Sequence, residues 1–183
     1  MYLNYALKNY LNQSIYLVNP KKIFIVMLLS FSFMSMQSQT TFTSVQSGNY
    51  TDPSTWGTST APTSADNLVI STGNTVTLDG LFTAQNVTIS GTLESTVASM
   101  NFIVEGNLTV NLGGLFNGIY YYDAGSFGYN VGIEITVAGN IINDGRIDLS
   151  EGGNYNPEGV LKLIGTTVQT VSGLGTFGGK TAT

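Results

Sequence analysis

The chain has 183 residues, no cysteine, no histidine, and six lysines and arginines against eleven aspartates and glutamates. Without thiols there is no disulfide framework and no thiolate metal site; without imidazole there is no Ser-His-Asp or Cys-His nucleophile and no imidazole-ligated metal. The acidic balance, with a pI near 4.3, opposes phosphate backbones and argues against a nucleic-acid partner.

Residues 1–38 read as an N-terminal extension and a signal peptide. Lys21-Lys22 precede a run of mainly apolar residues from Ile23 to Met34, and small polar residues follow. That is the layout of a secretory signal, and the run falls short of the roughly 20 residues a membrane span needs. Cleavage is expected near Ser38/Gln39. Membrane contact is expected only through this segment, if it stays uncleaved. Residues 1–20, rich in Tyr and Leu, fit a start codon assigned too far upstream, the alternative being a longer genuine leader. Past residue 38, three cations (Arg146, Lys162, Lys180) face all eleven carboxylates, a net charge of 3 − 11 = −8. The expected location is secreted or cell-surface.

Residues 39–66 read as an N-terminal cap, with Trp56 as a lid over the first turn of the fold. From residue 67 onward the text alternates apolar and small polar residues, the period of half-buried strands. Leu68/Ile70, Val76/Leu78, Ile133/Ile135/Val137 and Ile147/Leu149 each mark one face. Gly and Asn pairs such as Gly73-Asn74, Gly113-Gly114 and Gly139-Asn140 separate the strands and tolerate sharp corners. Four segments read alike, centred on Val87, Leu108, Ile135 and Leu161, at steps of 21, 27 and 26 residues. A strand-and-turn unit recurring at this spacing predicts a β-solenoid. The expected fold is all-β, a right-handed parallel β-helix of four or five rungs over residues 67–183, with the four segments stacked in line. Gly173–Lys180 reads as a turn entering another rung, so the coil is expected to be truncated at its C-terminus.

The stretch from Ser47 to Trp56, with Ala61-Pro62, Asp66–Ile70 and Gly73–Asp79, resembles the opening of large secreted proteins of Bacteroidota. Those proteins carry a parallel β-helix and leave by the type IX secretion route. It also resembles the start of the eight-glycine domain of extracellular proteins. The resemblance implies a parallel β-helix outside the cell and supplies no catalytic residues.

Several groups are candidates for chemistry. Asp144, Asp148 and Glu151 are the candidate calcium ligands, because Ca²⁺ takes six to eight oxygens from carboxylates and carbonyls; the alternative is a solvated face with an Arg146–carboxylate pair. No other cofactor is expected. Tyr120, Tyr121, Tyr122, Phe127 and Tyr129 are candidate ligand contacts. They fall in the widest gap between repeats, read as a loop, and tyrosine offers sugars both an apolar ring and a hydroxyl. The alternative is that the loop folds back, with Tyr120 and Tyr122 covering a flank of the coil. Arg146 and Lys162 are the bases a polysaccharide lyase would use, and Glu94, Glu105 and Glu134 the carboxylates a glycosidase would pair. Asn49, Asn86 and Asn107 stand in glycosylation sequons, a pattern expected by chance in so Asn- and Thr-rich a chain. The expected function is a non-catalytic structural, adhesin-like module whose partners are extracellular polysaccharide or cell-surface components. The competing expectation is a fragment of a carbohydrate-active, lyase-like enzyme.

Overall fold

The structure, a computed structural model, describes residues 39–80, 82–95, 101–122, 129–149 and 159–178. Residues 1–38, expected to hold the signal peptide, lie outside them. The described chain winds through successive turns, the four middle ones each laying one short strand on each of three sheets. The first turn holds β1 (Thr41–Thr43), β2 (Gly48–Asn49) and a helical turn, α1 (Pro53–Trp56). The second holds β3 (Asn67–Ile70), β4 (Thr75–Leu78) and β5 (Phe82–Ala84); the third holds β6 (Val87–Ile89), β7 (Thr92–Ser95) and β8 (Asn101–Val104). The fourth holds β9 (Leu108–Val110) and β10 (Leu115–Asn117), then a hairpin of β11 (Ile119–Tyr122) and β12 (Tyr129–Gly132), then β13 (Glu134–Val137). The fifth holds β14 (Ile141–Asn143), β15 (Arg146–Asp148) and β16 (Val160–Leu163), and the last β17 (Val171–Ser172) and β18 (Thr176–Gly178).

The first sheet runs β1-β3-β6-β9-β14-β17, the second β2-β4-β7-β10-β15-β18 and the third β5-β8-β13-β16. Every pairing within these three sheets is parallel, each strand lying on its equivalent from the turn before. This is a parallel β-helix. No helix among the described residues is long and apolar enough to cross a membrane.

Period-2 alternation turns directly into a core. Leu68, Val87, Leu108 and Ile141 stack in register on the first sheet. Val76, Leu93, Phe116 and Ile147 do so on the second, and Phe82, Phe102 and Ile135 on the third. All are buried, and burying each such side chain contributes about 1.5–3 kcal/mol. The four look-alike segments therefore do not form one column. Val87 and Leu108 share the first sheet, whereas Ile135 pairs with Leu161 on the third. All three sheets carry the same alternating text, so likeness of sequence does not say which face a strand occupies.

The true period is legible in a ladder at the corner entering the first sheet. Asn67 Oδ1 accepts from Asn86 N, Asn86 Oδ1 from Asn107 N, Asn107 Oδ1 from Asn140 N, and Asn140 Oδ1 from Thr170 N, over 19, 21, 33 and 30 residues. The sequon at Asn86 is engaged in the same way, its amide donating to Asn67 Oδ1 at 2.8 Å.

The N-terminal end is closed as expected from Trp56, but the boundary differs: β1 and β2 already stack on β3 and β4. The cap proper is α1 and the segment after it, in the place where the first turn would put its third strand. Asp52 accepts from Ser54 N at 2.9 Å, Pro53 opens the helix and Gly57, at φ 64°, ends it, the expected N-cap and C-cap chemistry. Trp56 is buried, its ring edge-on to Phe42 and Tyr50, and its Nε1 donates to Tyr50 O at 2.9 Å. Tyr50 donates to Pro62 O at 3.0 Å; burial, with Asp66 and Asp79 adding, pushes its phenol up to about 12.

Asp66 ties the cap down, accepting from Thr63 N, Thr63 Oγ1 and Thr40 N. Burial raises its carboxyl, but these hydrogen bonds outweigh it and hold the group below the ordinary carboxylate value. A depressed folded-state pKa adds stability that is full above the unfolded value of about 3.9 and is lost as pH falls through the folded value. Thermal melts taken down through that window are expected to show a steep acid limb. Asp66→Asn is expected to cost about 2 kcal/mol at neutral pH and to flatten that limb; identical acid limbs in the two proteins would refute this role.

Candidate functional site at the insertion corner

The three corners of the coil are not equivalent. Between the first and second sheets the connections occupy residues 44–47, 71–74, 90–91, 111–114, 144–145 and 173–175. Glycines stack there against backbone: a Cβ on Gly91, Gly114, Gly145 or Gly175 would overlap a carbonyl oxygen of the neighbouring backbone. The corner entering the first sheet is held by the asparagine ladder. The third corner, from the second sheet to the third, lacks the asparagine ladder, packs glycines against backbone at the roots of its insertions (Gly118 and Gly159), and is where the chain expands most. Its connections grow from 79–81 and 96–100 to 118–133 and 149–159. Loops that vary on a rigid scaffold are where binding surfaces concentrate.

The larger insertion is a hairpin. Its strands pair antiparallel, with Ile119 opposite Gly132, Tyr120 opposite Val131, Tyr121 opposite Asn130 and Tyr122 opposite Tyr129. The expected loop is thus a β-ribbon at its base, and four of the five candidate aromatics lie on its two strands. Phe127 lies outside the described residues. The roots of both insertions are laced together. Gly118 N donates to Asp148 O at 2.7 Å and Ile133 N to Gly118 O at 3.0 Å. Gly159 N donates to Leu149 O at 2.7 Å and Val160 N to Ile133 O at 3.1 Å. A Cβ on Gly118 would meet Asp148 O at 2.9 Å, so the ribbon leaves the coil where only glycine fits.

Beside this root the outer face of the second sheet carries a polar column, Thr77, Glu94, Asn117 and Asp148, in register on successive turns about 4.8 Å apart. Thr77 Oγ1 lies 3.3 Å from Glu94 Oε1. Asp148 is buried and pairs with the exposed Arg146, Nε to Oδ2 at 2.7 Å. Its Oδ1 has no hydrogen-bond partner among the described residues and rests over Gly178, where a Cβ would overlap it. The arrangement offers amide, carboxylate, hydroxyl and guanidinium groups beside a tyrosine-bearing ribbon.

The candidate calcium ligands are not brought together. Asp144 is exposed at the first corner, where its Oδ1 accepts from Leu174 N at 3.0 Å. Asp148 stands at the opposite end of β15, roughly 13 Å along an extended chain. Glu151 lies outside the described residues, among which no cluster of three acidic groups occurs. An extended strand between two carboxylates holds them apart, and the Arg146 pair is the alternative realised. The candidate bases are separated too. Arg146 is on the second sheet, while Lys162 is on the third, in an ion pair with Glu134 at 2.5 Å. Of the candidate glycosidase carboxylates, Glu94 is on the second sheet, Glu134 on the third and Glu105 at the corner entering the first.

Sequence reasoning missed the asparagine ladder, although Asn stands immediately before Leu68, Val87, Leu108 and Ile141; that phase is its signal. It also missed the column ending in Asp148, whose members become neighbours only through stacking. The chain matches no family model, no curated protein and no solved structure.

Proposed function

We propose that the chain is a secreted or cell-surface structural module, adhesin-like, that presents the tyrosine ribbon and the polar column beside it to glycans of extracellular polysaccharide or of a cell surface. The observation that carries this reading is that the two longest connections past the cap, residues 118–133 and 149–159, leave the coil at the same corner, one of them bearing four tyrosines. Tyrosine rings suit sugar faces, and stacked amide and carboxylate groups suit sugar hydroxyls. The separation of Arg146 from Lys162, each in its own ion pair, favours binding over lyase chemistry. The resemblance of residues 47–79 to surface proteins of Bacteroidota supports a site of action outside the cell.

A glycan array probed with residues 39–183 tests the reading, alongside a depolymerisation assay on the same polysaccharides. Binding is expected without turnover, and Tyr120→Ala with Tyr122→Ala is expected to weaken it at least tenfold at an unchanged melting temperature. Turnover lost on Arg146→Ala or Lys162→Ala would instead make the protein an enzyme of the lyase type. Retention of full affinity in the tyrosine variant would remove the ribbon from the site.

A further inference from the structure

We infer that the outer face of the first sheet is a second binding surface, which takes a neutral, extended β-1,4-linked polysaccharide lying along the coil axis, one sugar to a turn. The inference rests on the glycan reading above and deepens it, naming the class of polymer and a surface other than the ribbon. Its basis is the middle column of that face. Thr43, Val69, Thr88, Thr109 and Ile142 point outward in register on five successive turns, each between two residues buried in the coil. All five are β-branched, so few rotamers are open to them, and parallel stacking spaces them about 4.8 Å apart. Among the described residues, the hydroxyls of Thr43, Thr88 and Thr109 make no hydrogen bond within the chain. The flanking columns do. On one side runs the asparagine ladder. On the other, Ser71 Oγ donates to Ser44 O at 2.7 Å and Asn111 Nδ2 to Ser90 Oγ at 2.8 Å. Preset, uncommitted hydroxyls thus stand between two columns whose polar groups hold one another in place.

Three features select the occupant. The first is charge. Segments 41–44, 67–71, 86–90, 107–111 and 140–143 hold no charged residue, whereas the second sheet carries Glu94, Arg146 and Asp148 and the third Glu134 and Lys162. Residues 39–183 carry a net −8, so an acidic polymer is repelled, and a basic one finds no carboxylate on this face. A neutral polymer meets neither obstacle. The second is size. Five strands of about five residues, at about 4.8 Å per strand and 3.3 Å per residue, make a strip of under roughly 400 Å². A stable protein interface needs about 800 Å² per partner, so a second copy of this chain is a poor occupant, whereas a polymer one sugar wide fits the strip. The third is the repeat. Pyranose rings joined through equatorial 1,4-linkages form an extended chain that advances by close to one strand spacing per sugar. The hydroxyls of Thr43, Thr88 and Thr109 then meet sugar hydroxyls, and the methyl groups of the whole column meet ring C–H groups. A rigid array keeps the ordering cost of binding low, and contacts repeated from turn to turn reinforce one another along a polymer.

The test uses the unit Gln39–Thr183 with cello-oligosaccharides of two to six sugars, hydroxyethylcellulose and, as the acidic comparison, polygalacturonate. Calorimetric affinity is expected to rise with each added sugar until the oligomer spans the five turns of the column, and polygalacturonate is expected not to bind. Thr88→Val with Thr109→Val keeps shape and β-branching and removes two hydroxyls. It is expected to lower affinity about tenfold at an unchanged melting temperature. Full affinity in that variant overturns the inference; if Tyr120→Ala with Tyr122→Ala abolishes binding at the same time, the glycan reading stands without it. Failure of every neutral polymer to bind overturns the inference, as does preference for polygalacturonate, or equal affinity for the two-sugar and six-sugar chains. If the glycan array is blank as well, the glycan reading falls too. Adsorption to ice, read as thermal hysteresis, with no retention by hydroxyethylcellulose would assign the face to a water lattice and likewise overturn the inference. Should the double variant fail to fold, the chain-length series decides alone.

Discussion

Phe102→Ala is expected to destabilise the coil by about 3–5 kcal/mol, the largest loss any single truncation should produce. Phe102 sits mid-coil, fully buried. It stacks on Phe82 with ring centroids 4.4 Å apart and planes parallel, and tilts against Phe116 at 5.0 Å. Phe82 in turn meets Tyr50 at 4.6 Å, and Tyr50 meets Trp56 at 6.0 Å. The ring therefore links the cap to the third and fourth turns. Removing it leaves a cavity that short strands, hydrogen-bonded above and below, cannot collapse to fill. Because each turn of a solenoid contacts only its neighbours, the loss is local and should weaken cooperativity as well as stability. A melting temperature lower by roughly 10 °C, with a broadened transition, is the expected calorimetric result. An unchanged melt would mean that the rings do not form the spine described.

Gly114→Val is expected to cost about 3 kcal/mol or more, for the opposite reason. Its Cβ would overlap Ile89 O and lie 2.9 Å from Asn111 O. Both oxygens are backbone acceptors in use, Ile89 O from Asn111 N and Asn111 O from Gly114 N, each at 2.8 Å. Neither can move without opening the corner. The adjacent Gly113 is the control: it has φ +83° but nothing within 4 Å of a Cβ, so Gly113→Ala should lose only about 1–2 kcal/mol from backbone strain. Urea unfolding of the two variants separates the effects. Equal midpoints would show that the corner tolerates a side chain and that Gly114 is dispensable.

These two positions also show how far local reading reaches. Gly113-Gly114 is recognisable as a turn from sequence, but nothing local distinguishes the residue kept for its φ from the one kept for lack of space. The second depends on a carbonyl from the previous turn. The same holds at the site. The tyrosines were visible as an excess of aromatics, yet their ribbon, and its root beside Asn117 and Asp148, required the stacking of β10 on β15. Asp144, Asp148 and Glu151 looked like one group because they are close in sequence. A three-residue strand was enough to send Asp144 and Asp148 to different corners.

By itself the sequence determined a β-solenoid: period-2 alternation makes strands with one apolar face, Gly and Asn place the corners, and the sole tryptophan marks the lid. It also determined which chemistries are absent, since residues a chain lacks cannot be supplied by folding. Only the tertiary structure decided the phase of the coil: which strands share a sheet, which asparagines form the ladder, and which corner carries the insertions. The physical reason is that hydrogen bonds between turns join residues 19 to 33 positions apart. Their register is set by the length of chain looped out between turns, while the alternating text of each strand is the same on all three faces.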